Sequence, residues 1–175
     1  MPEMRLRHPA LDHLAAGPEI LRLLLMGVTD EQTNWKPAPD RFSIAEVLEH
    51  LSHAEGHCFR HRIDRLLALD NPEIDDYDQN ALYAEGVYSN RDAEESFAHW
   101  EEQREDNVEF LGTLDAAALD RTYMHPLLGE VTFAQHLSEW GFHDLGHIRQ
   151  IAELVRSQLY YPEMGPFHSQ YAIRP

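Results

Sequence analysis

Two histidines in the segment His143-Asp144-Leu145-Gly146-His147 are the sharpest chemical signal in the sequence. Side chains four residues apart lie on one face of an α-helix, where His143 and His147 can share one metal ion. Neutral imidazole is a common ligand of zinc, nickel and iron. The pair alone is a weak motif, because one histidine can pack while the other faces solvent. The apolar residues around it indicate a core helix, in which two imidazoles without a partner or a metal would be costly, so a metal site is favoured.

A metal ion on this pair needs further ligands, and a second predicted helix carries four histidines, His50, His53, His57 and His61. At about 100° per residue, His50, His57 and His61 fall within about 40° of one another, with His53 slightly off that line. Nearby arginines indicate that the helix becomes solvated around His57 and His61, which favours an ordinary polar flank there. Spacing alone does not choose between His50 and His53 as the third ligand.

Few other residues are expected to do chemistry, because no Cys, Ser or Lys stands out as a nucleophile. Cys58 falls on an apolar stripe and is expected to be an inert core residue. Asp144 points away from the face that carries the histidine pair, so it is not expected to be a direct ligand. Gln150 and Glu46 are better placed to hydrogen-bond the ligands, although Glu46 also belongs to a helix cap.

The elements that position these residues are predicted to be four main helices. Ser43-Ile44-Ala45-Glu46 and Thr132-Phe133-Ala134-Gln135 are capping boxes that open the second and fourth helices. The first helix is expected from about Pro18 to Val28; an extension back to Ala10 is an alternative, which would be kinked at Gly17-Pro18. The third is expected from a cap at residue 89 or 90 to about residue 114, and the fourth to about residue 157.

The remaining segments are predicted to be irregular. Residues 69–90 are expected to form a loop, and residues 115–129 a connector, with no hairpin signal flanked by alternating strands. Residues 158–175 form a tail that is expected to pack across the bundle or a partner chain. The sequence therefore predicts an all-α protein, an up-and-down or crossover four-helix bundle, as a single domain over residues 1–175 with its core at about 10–156.

The charge balance excludes some functions, because 31 Asp and Glu oppose 14 Lys and Arg. A field of that sign repels nucleic acids and anionic membranes, so neither is expected as a partner. The longest apolar stretch, residues 21–28, is far short of the roughly 20 residues of a membrane span. The absence of an apolar signal core and the single cysteine predict a cytoplasmic location.

Two blocks of the sequence resemble the DinB/YfiT superfamily over roughly residues 10–156. They are Trp35…Ser43-Ile44-Ala45-Glu46-Val47-Leu48-Glu49-His50-Leu51…Glu55 and Gly129-Glu130-Val131-Thr132…Leu137…Trp140…His143-Asp144…His147…Gln150-Ile151. The resemblance implies a four-helix bundle that binds a divalent metal through one histidine of the second helix and the pair of the last. By this resemblance the metal ligands are His50, His143 and His147.

The resemblance also implies what the metal does. Three histidines leave a coordination position open, as in catalytic zinc sites, for a water or a thiolate. Similar proteins include thiol-dependent S-transferases or isomerases that use bacillithiol, mycothiol or glutathione, and metal-dependent hydrolases. We favour a thiol S-transferase with zinc or nickel, a low-molecular-weight thiol cosubstrate, a small-molecule substrate and a homodimeric assembly. A hydrolase and a non-enzymatic metal-binding stress protein remain alternatives.

Overall fold

The computed structural model describes residues 5–173 and confirms the predicted four-helix bundle. Its helices are α1 (Pro9–Leu24), α2 (Asp30–Asn34), α3 (Ile44–Ala54), α4 (His61–Ala68), α5 (Gln79–Ala84), α6 (Ala93–Thr113) and α7 (Phe133–Leu159). A π-helical turn, Glu55–Arg60, joins α3 to α4. Two short strands, β1 (Thr122–His125) and β2 (Gly129–Thr132), and 3-10 turns at Ala116–Asp120 and Tyr161–Gln170 complete the fold.

Four of these elements build the bundle: α1, the α3–α4 helix, α6 and α7. Helix α1 packs against α6 and α7, and so does α3. Helices α1 and α3 therefore lie diagonally opposite each other, as do α6 and α7. Both predicted capping boxes are present, with Ser43 and Glu46 at the start of α3 and Thr132 and Gln135 at the start of α7.

The buried apolar residues form two clusters along the bundle. One contains Phe59 and Trp140, whose rings stack with centroids 4.9 Å apart. The other contains Leu48, Trp100 and Ile151. Helix α7 contributes residues up to 140 to the first cluster and residues from 151 to the second, so the histidine pair lies between them along the helix. The bundle thus surrounds the candidate site with apolar packing.

Helix α1 departs from the prediction, because it runs from Pro9 to Leu24 and contains Pro18 in its interior. A proline has no N–H, so the carbonyl of Leu14, four residues earlier, loses its usual helical partner. The guanidinium of Arg104 on α6 replaces that partner, with Nη1 3.1 Å from the Leu14 oxygen. A Cβ at Gly17 would lie 3.3 Å from the same nitrogen. This hydrogen bond from α6 satisfies the carbonyl that Pro18 leaves without a helical partner, so α1 continues through the position where the sequence indicated a kink.

The hairpin of β1 and β2 is a second correction, since residues 115–129 were expected to form a connector without strands. The strands pair antiparallel with Thr122 opposite Thr132 and His125 opposite Gly129. The Tyr123 side chain is buried against α7, where its hydroxyl lies 3.1 Å from Nδ1 of His136. Strands of four residues are too short to show a clear alternation of apolar and polar residues in the sequence. Contacts with α7 therefore decide that this segment forms a hairpin.

The segment 69–90 is more ordered than a loop. It contains α5, which begins at Gln79 after an Asp78 cap that accepts hydrogen bonds from two backbone N–H groups. Helix α6 begins at Ala93 after Asp92, rather than after residue 89 or 90, and Asn90 has a φ of 57° that does not continue a helix. Within residues 5–173, no helix combines the length and the apolar composition needed to cross a bilayer.

Candidate metal centre

Three histidines from two helices meet in the interior of the bundle. His50 of α3 is fully buried, and His143 and His147 of α7 are partly buried. One ring nitrogen from each lies within 4.8 Å of the other two, and the Nε2 atoms of His50 and His143 are 3.0 Å apart. These are the three residues that the sequence analysis selected. The structure brings them together, while metal binding stays a prediction.

The other histidines of the α3–α4 helix do not reach this centre. Nδ1 of His53 lies 2.9 Å from the hydroxyl of Tyr77, and its ring stacks on His57 with centroids 4.2 Å apart. His57 in turn lies 3.1 Å, through Nδ1, from the carbonyl oxygen of His53. The His61 side chain is exposed. The choice between His50 and His53 that spacing left open is therefore settled geometrically, with His50 in the cluster.

Burial favours the neutral form of two of the clustered imidazoles, those of His50 and His147. It lowers the pKa of His50 to about 2, with a smaller contribution from the positive charge of the neighbouring histidines. Burial likewise lowers the pKa of His147 to about 4, against the opposing effect of its hydrogen bond to Gln150. A neutral imidazole has a lone pair to offer to a metal ion. Protons therefore compete little with a metal for these two nitrogens near pH 7.

Hydrogen bonds orient the two rings of α7. Nδ1 of His147 lies 2.9 Å from Oε1 of Gln150, which confirms the predicted hydrogen-bond role of that glutamine. Nδ1 of His143 lies 3.5 Å from Oδ1 of Asp144. When each Nδ1 carries the proton and donates it to these oxygens, each Nε2 keeps its lone pair for the centre. Asp144 therefore contacts the cluster through His143.

Two other residues that the sequence analysis considered have roles outside the centre. Glu46 accepts the backbone N–H of Ser43 at 3.0 Å and pairs with Nζ of Lys36 at 2.6 Å, so its contacts are with the start of α3. Its predicted hydrogen bond to a ligand is absent from the contacts of residues 5–173. The Cys58 thiol is buried, which raises its pKa to about 12, as expected for an inert core cysteine.

A buried cluster of charged residues lies directly behind His143, and we call Glu55, Arg104, Asn107 and Asp144 the Arg104 cluster. Arg104 donates to both carboxylate oxygens of Glu55, at 2.8 and 2.7 Å, and to Oδ2 of Asp144 at 2.5 Å. Asn107 donates to Glu55 at 2.9 Å. Burial alone would raise the pKa of Asp144, but the Arg104 charge and the contact with His143 hold that pKa below its usual value.

The Arg104 cluster was not predicted from the sequence, although the sequence contains a signal for it. On α6 the residues Trp100, Arg104, Asn107 and Leu111 follow spacings of four and three, and all are buried. A charged residue in the middle of an apolar stripe points to a buried partner. Glu55 contacts Arg104 from the π-helical turn. Such turns are frequent at functional sites, but no residue pattern in the sequence predicted this one.

The donor set fits a borderline divalent metal. Two nitrogens of one tetrahedral zinc ion, each about 2.0–2.1 Å from the metal, are about 3.3 Å apart, close to the 3.0 Å that separates the Nε2 atoms of His50 and His143. The buried Nδ1 of His50 has no hydrogen-bond partner among residues 5–173. The Arg104 cluster has two carboxylates and one guanidinium, so a net negative charge lies beside His143. These features favour a cation at the centre.

Two cavities reach the histidines from different sides. The larger, of about 820 Å³, has His143 and His147 in its wall together with three arginines, and we call it the arginine cavity. The smaller, of about 320 Å³, has His50 and His143 in its wall and is bounded by Leu127 and Leu128 of the β1–β2 turn; we call it the hairpin cavity. His143 is common to both. A molecule in either cavity therefore has access to the centre.

Comparison with known proteins agrees with this structure. The family model of the DinB superfamily matches residues 13–151. The chain belongs to the DinB superfamily. The fold of this DinB protein is similar to that of YfiT from Bacillus subtilis, described as a probable metal-dependent hydrolase with an unusual four-helix bundle topology. The TM-score is 0.76 and the identity 23%, over 85% of each chain. A candidate metal-dependent hydrolase from Oceanobacillus iheyensis is 22% identical over 139 residues, which cover 79% of this chain and 80% of that protein.

Proposed function

We propose that His50, His143 and His147 bind one divalent ion, zinc or nickel, and that this DinB protein is a metal-dependent thiol S-transferase. The observation that carries the proposal is the convergence of three imidazoles from two helices. Membership of the superfamily and the metal-dependent activity named for both relatives support the metal.

A bound ion would supply Lewis acidity, which lowers the pKa of a thiol or a water at the position that three protein ligands leave open. The residues of the chain hold the geometry for it. Asp144 and Gln150 accept the Nδ1 protons of the two α7 histidines, so their rings cannot turn freely. The buried position of His50 excludes water from its ring. Rigid ligands of this kind keep the open position in one place.

The two cavities support a reaction between two molecules. A group transfer needs two reactants at one centre, and the arginine and hairpin cavities adjoin His143 from different sides. The chain has no reactive thiol of its own there, because the buried Cys58 has a strongly raised pKa. The sulfur would therefore come from a separate thiol. Its lone pair would form a C–S bond with an electrophilic carbon, and the leaving group would depart with the electrons of the broken bond.

A metal-dependent hydrolase is the second candidate. The names of both relatives favour it, and so does Glu139, whose side chain lines both cavities one helical turn before His143. A carboxylate at that position can accept a proton from an attacking water. A non-enzymatic metal-binding protein is less well supported, because a storage site is expected to have a closed coordination sphere, whereas cavities adjoin this one.

Metal content tests the centre. Elemental mass spectrometry of tag-free protein should find about one zinc or nickel per chain, and less than about a tenth of that in His50→Ala and His143→Ala. His53→Ala is the matched control, because His53 lies on the same helix but contacts Tyr77 instead of the cluster. Wild-type protein that holds no metal after reconstitution would contradict the proposal.

The reaction class is tested by two assays on the zinc-loaded protein. An S-transferase should consume a thiol only when an electrophile is present and release a product with a new C–S bond, identified by mass spectrometry. A hydrolase should cleave esters or amides without any thiol, and Glu139→Gln should slow that cleavage by about a hundredfold or more. A homodimer and a cytoplasmic location stay predictions; light scattering after size-exclusion chromatography tests the first.

A further inference from the structure

The arginine cavity differs in charge from the rest of the molecule. The whole chain has 31 acidic residues against 14 basic ones, whereas this cavity is lined by three arginines and two glutamates. The arginines are Arg41, from the segment before α3, and Arg149 and Arg156, from α7. A cationic wall in an acidic protein concentrates anions at that point of the surface.

The glutamates of the cavity offset only part of this charge. Glu153 is 2.6 Å from Nε of Arg156, an ion pair within α7. Glu139 lies 3.8 Å from Arg62, an arginine of α4 that does not line this cavity. Each glutamate therefore has a cation beside it already. Arg149 makes no hydrogen bond or ion pair among residues 5–173, and its side chain is exposed to the cavity.

The positions of the arginines along α7 fix the distance between a bound anionic group and the three histidines. At about 1.5 Å per residue, Arg149 lies about 3 Å beyond His147 along the helix axis and Arg156 about 14 Å beyond it. Nη2 of Arg156 is held by the carbonyl oxygen of Ala172, at 2.8 Å, so this guanidinium is fixed at the far end of the cavity. The volume of about 820 Å³ suits a small organic molecule.

We propose that the arginine cavity binds reactants that carry an anionic group, in particular a carboxylate-bearing thiol, and that Arg149 binds that group while the sulfur reaches the three histidines. The proposal names the substrate class of the site and so rests on the proposed function. Arginine binds carboxylates through paired, charge-assisted hydrogen bonds, and one positioned at a known distance from the centre also orients the sulfur.

The test compares two thiols that share one sulfhydryl and differ in whether their carboxylates are free or masked as ethyl esters. Glutathione and its diethyl ester have the same thiol, and titration calorimetry on zinc-loaded protein should give at least about tenfold tighter binding for the acid. The preference should fall at least threefold or so in Arg149→Gln and by less in Arg156→Gln, because Arg156 is already paired with Glu153. It should persist in Arg7→Gln, a control that removes the same charge from an exposed position at the start of α1. Equal affinity for acid and ester, or no binding of either, overturns the proposal.

A second arm separates this proposal from the proposed function. S-methylglutathione and its diethyl ester keep the carboxylate difference but offer no ionisable thiol, so metal-free protein can be titrated with them. Protein that binds no metal but prefers the acid, with the preference lost in Arg149→Gln, would support the anion site and contradict the metal-dependent function. Protein that binds zinc and thiols but shows no preference for the acid would support that function and overturn the anion site.

Discussion

Two polar clusters lie side by side in the interior of the bundle, and they differ in how their polar atoms are satisfied. In the Arg104 cluster, the guanidinium bonds to Glu55, Asp144 and the Leu14 carbonyl, and no atom of the cluster is left without a partner. In the histidine cluster, two Nε2 atoms face each other at 3.0 Å, and the buried Nδ1 of His50 has no partner among residues 5–173.

The difference indicates a structural role for the Arg104 cluster and fits the binding role proposed for the histidine cluster. A buried charge is tolerated when the chain itself supplies its counter-charge and hydrogen bonds, which Arg104 obtains from α1, the π-helical turn and α7. Facing ring nitrogens are tolerated when one of them donates a proton to the other or when a ligand such as a metal ion binds both. The contact between Asp144 and His143 joins the two clusters, so a change in one is expected to reach the other.

Replacement of Arg104 should give the largest effect. Arg104→Met leaves Glu55 and Asp144 buried without a counter-charge, and we expect the free energy of unfolding to fall by about 3–5 kcal/mol. Urea denaturation measures the change. Arg22→Met, which removes an exposed arginine paired with Glu19 and Glu101, should change the free energy of unfolding far less. Similar losses in the two variants would show that the Arg104 cluster adds nothing beyond a surface ion pair.

Replacement of Asp144 tests the connection between the clusters. Asp144→Asn keeps the shape but removes the charge behind His143, and zinc affinity should fall by about 10–100-fold. Competition with a chromophoric chelator measures that affinity. Glu46→Gln, which alters a buried carboxylate away from the histidines, is the control and should leave zinc affinity unchanged. An unaltered affinity in Asp144→Asn would mean that the two clusters are independent.

A change of pH distinguishes buried imidazoles from the Arg104 cluster. Burial lowers the pKa of His136 to about 3, below the 6.5 of an unfolded histidine, so the unfolded chain takes up the proton more readily. The contribution of neutral His136 to the free energy of unfolding is therefore complete above pH 6.5, and it is lost as the pH falls from 6.5 towards 3. Asp144, whose pKa is lowered from 3.8, loses its contribution only below about pH 4.

We expect wild-type protein in a chelator to lose stability between pH 7 and pH 5. His136→Gln, which cannot titrate, should reduce this loss by roughly 1 kcal/mol for each pH unit below 6.5. Urea denaturation at several pH values measures both slopes, with His61→Gln, an exposed position, as the control. Parallel slopes in wild type and His136→Gln would contradict the assignment of a neutral, buried His136.

The smallest effect is expected at Gln150, which orients one ligand from a partly exposed position. Gln150→Leu removes the acceptor for Nδ1 of His147, and zinc affinity should fall by about tenfold or less. Gln158→Leu, farther along α7, should leave the affinity unchanged. A loss in Gln150→Leu as large as that in Asp144→Asn would show that the neutral acceptor matters as much as the charged one.

Local signals in the sequence were sufficient for much of the bundle. The capping boxes at Ser43 and Thr132 marked the starts of α3 and α7, because their hydrogen bonds close within four residues. The spacing of four residues between His143 and His147 likewise predicted that both rings lie on one face of α7, because it depends only on the local geometry of the helix. The continuation of α1 through Pro18 could not be predicted from such local signals. The Leu14 carbonyl, which Pro18 leaves without a helical partner, accepts a hydrogen bond from Arg104, which lies 90 residues further along the chain.

The sequence by itself determined the four helices, the histidine pair and, through resemblance, the membership of His50 in the site. Helix periodicity and end caps depend on neighbours a few residues away, and these are visible in the chain. Only the tertiary structure decided the short β1–β2 hairpin, the π-helical turn, the Arg104 cluster and the two cavities beside His143. Each of these depends on contacts between elements that are distant in sequence. A buried charge or a carbonyl without a helical partner acquires its hydrogen bonds only after the helices have packed.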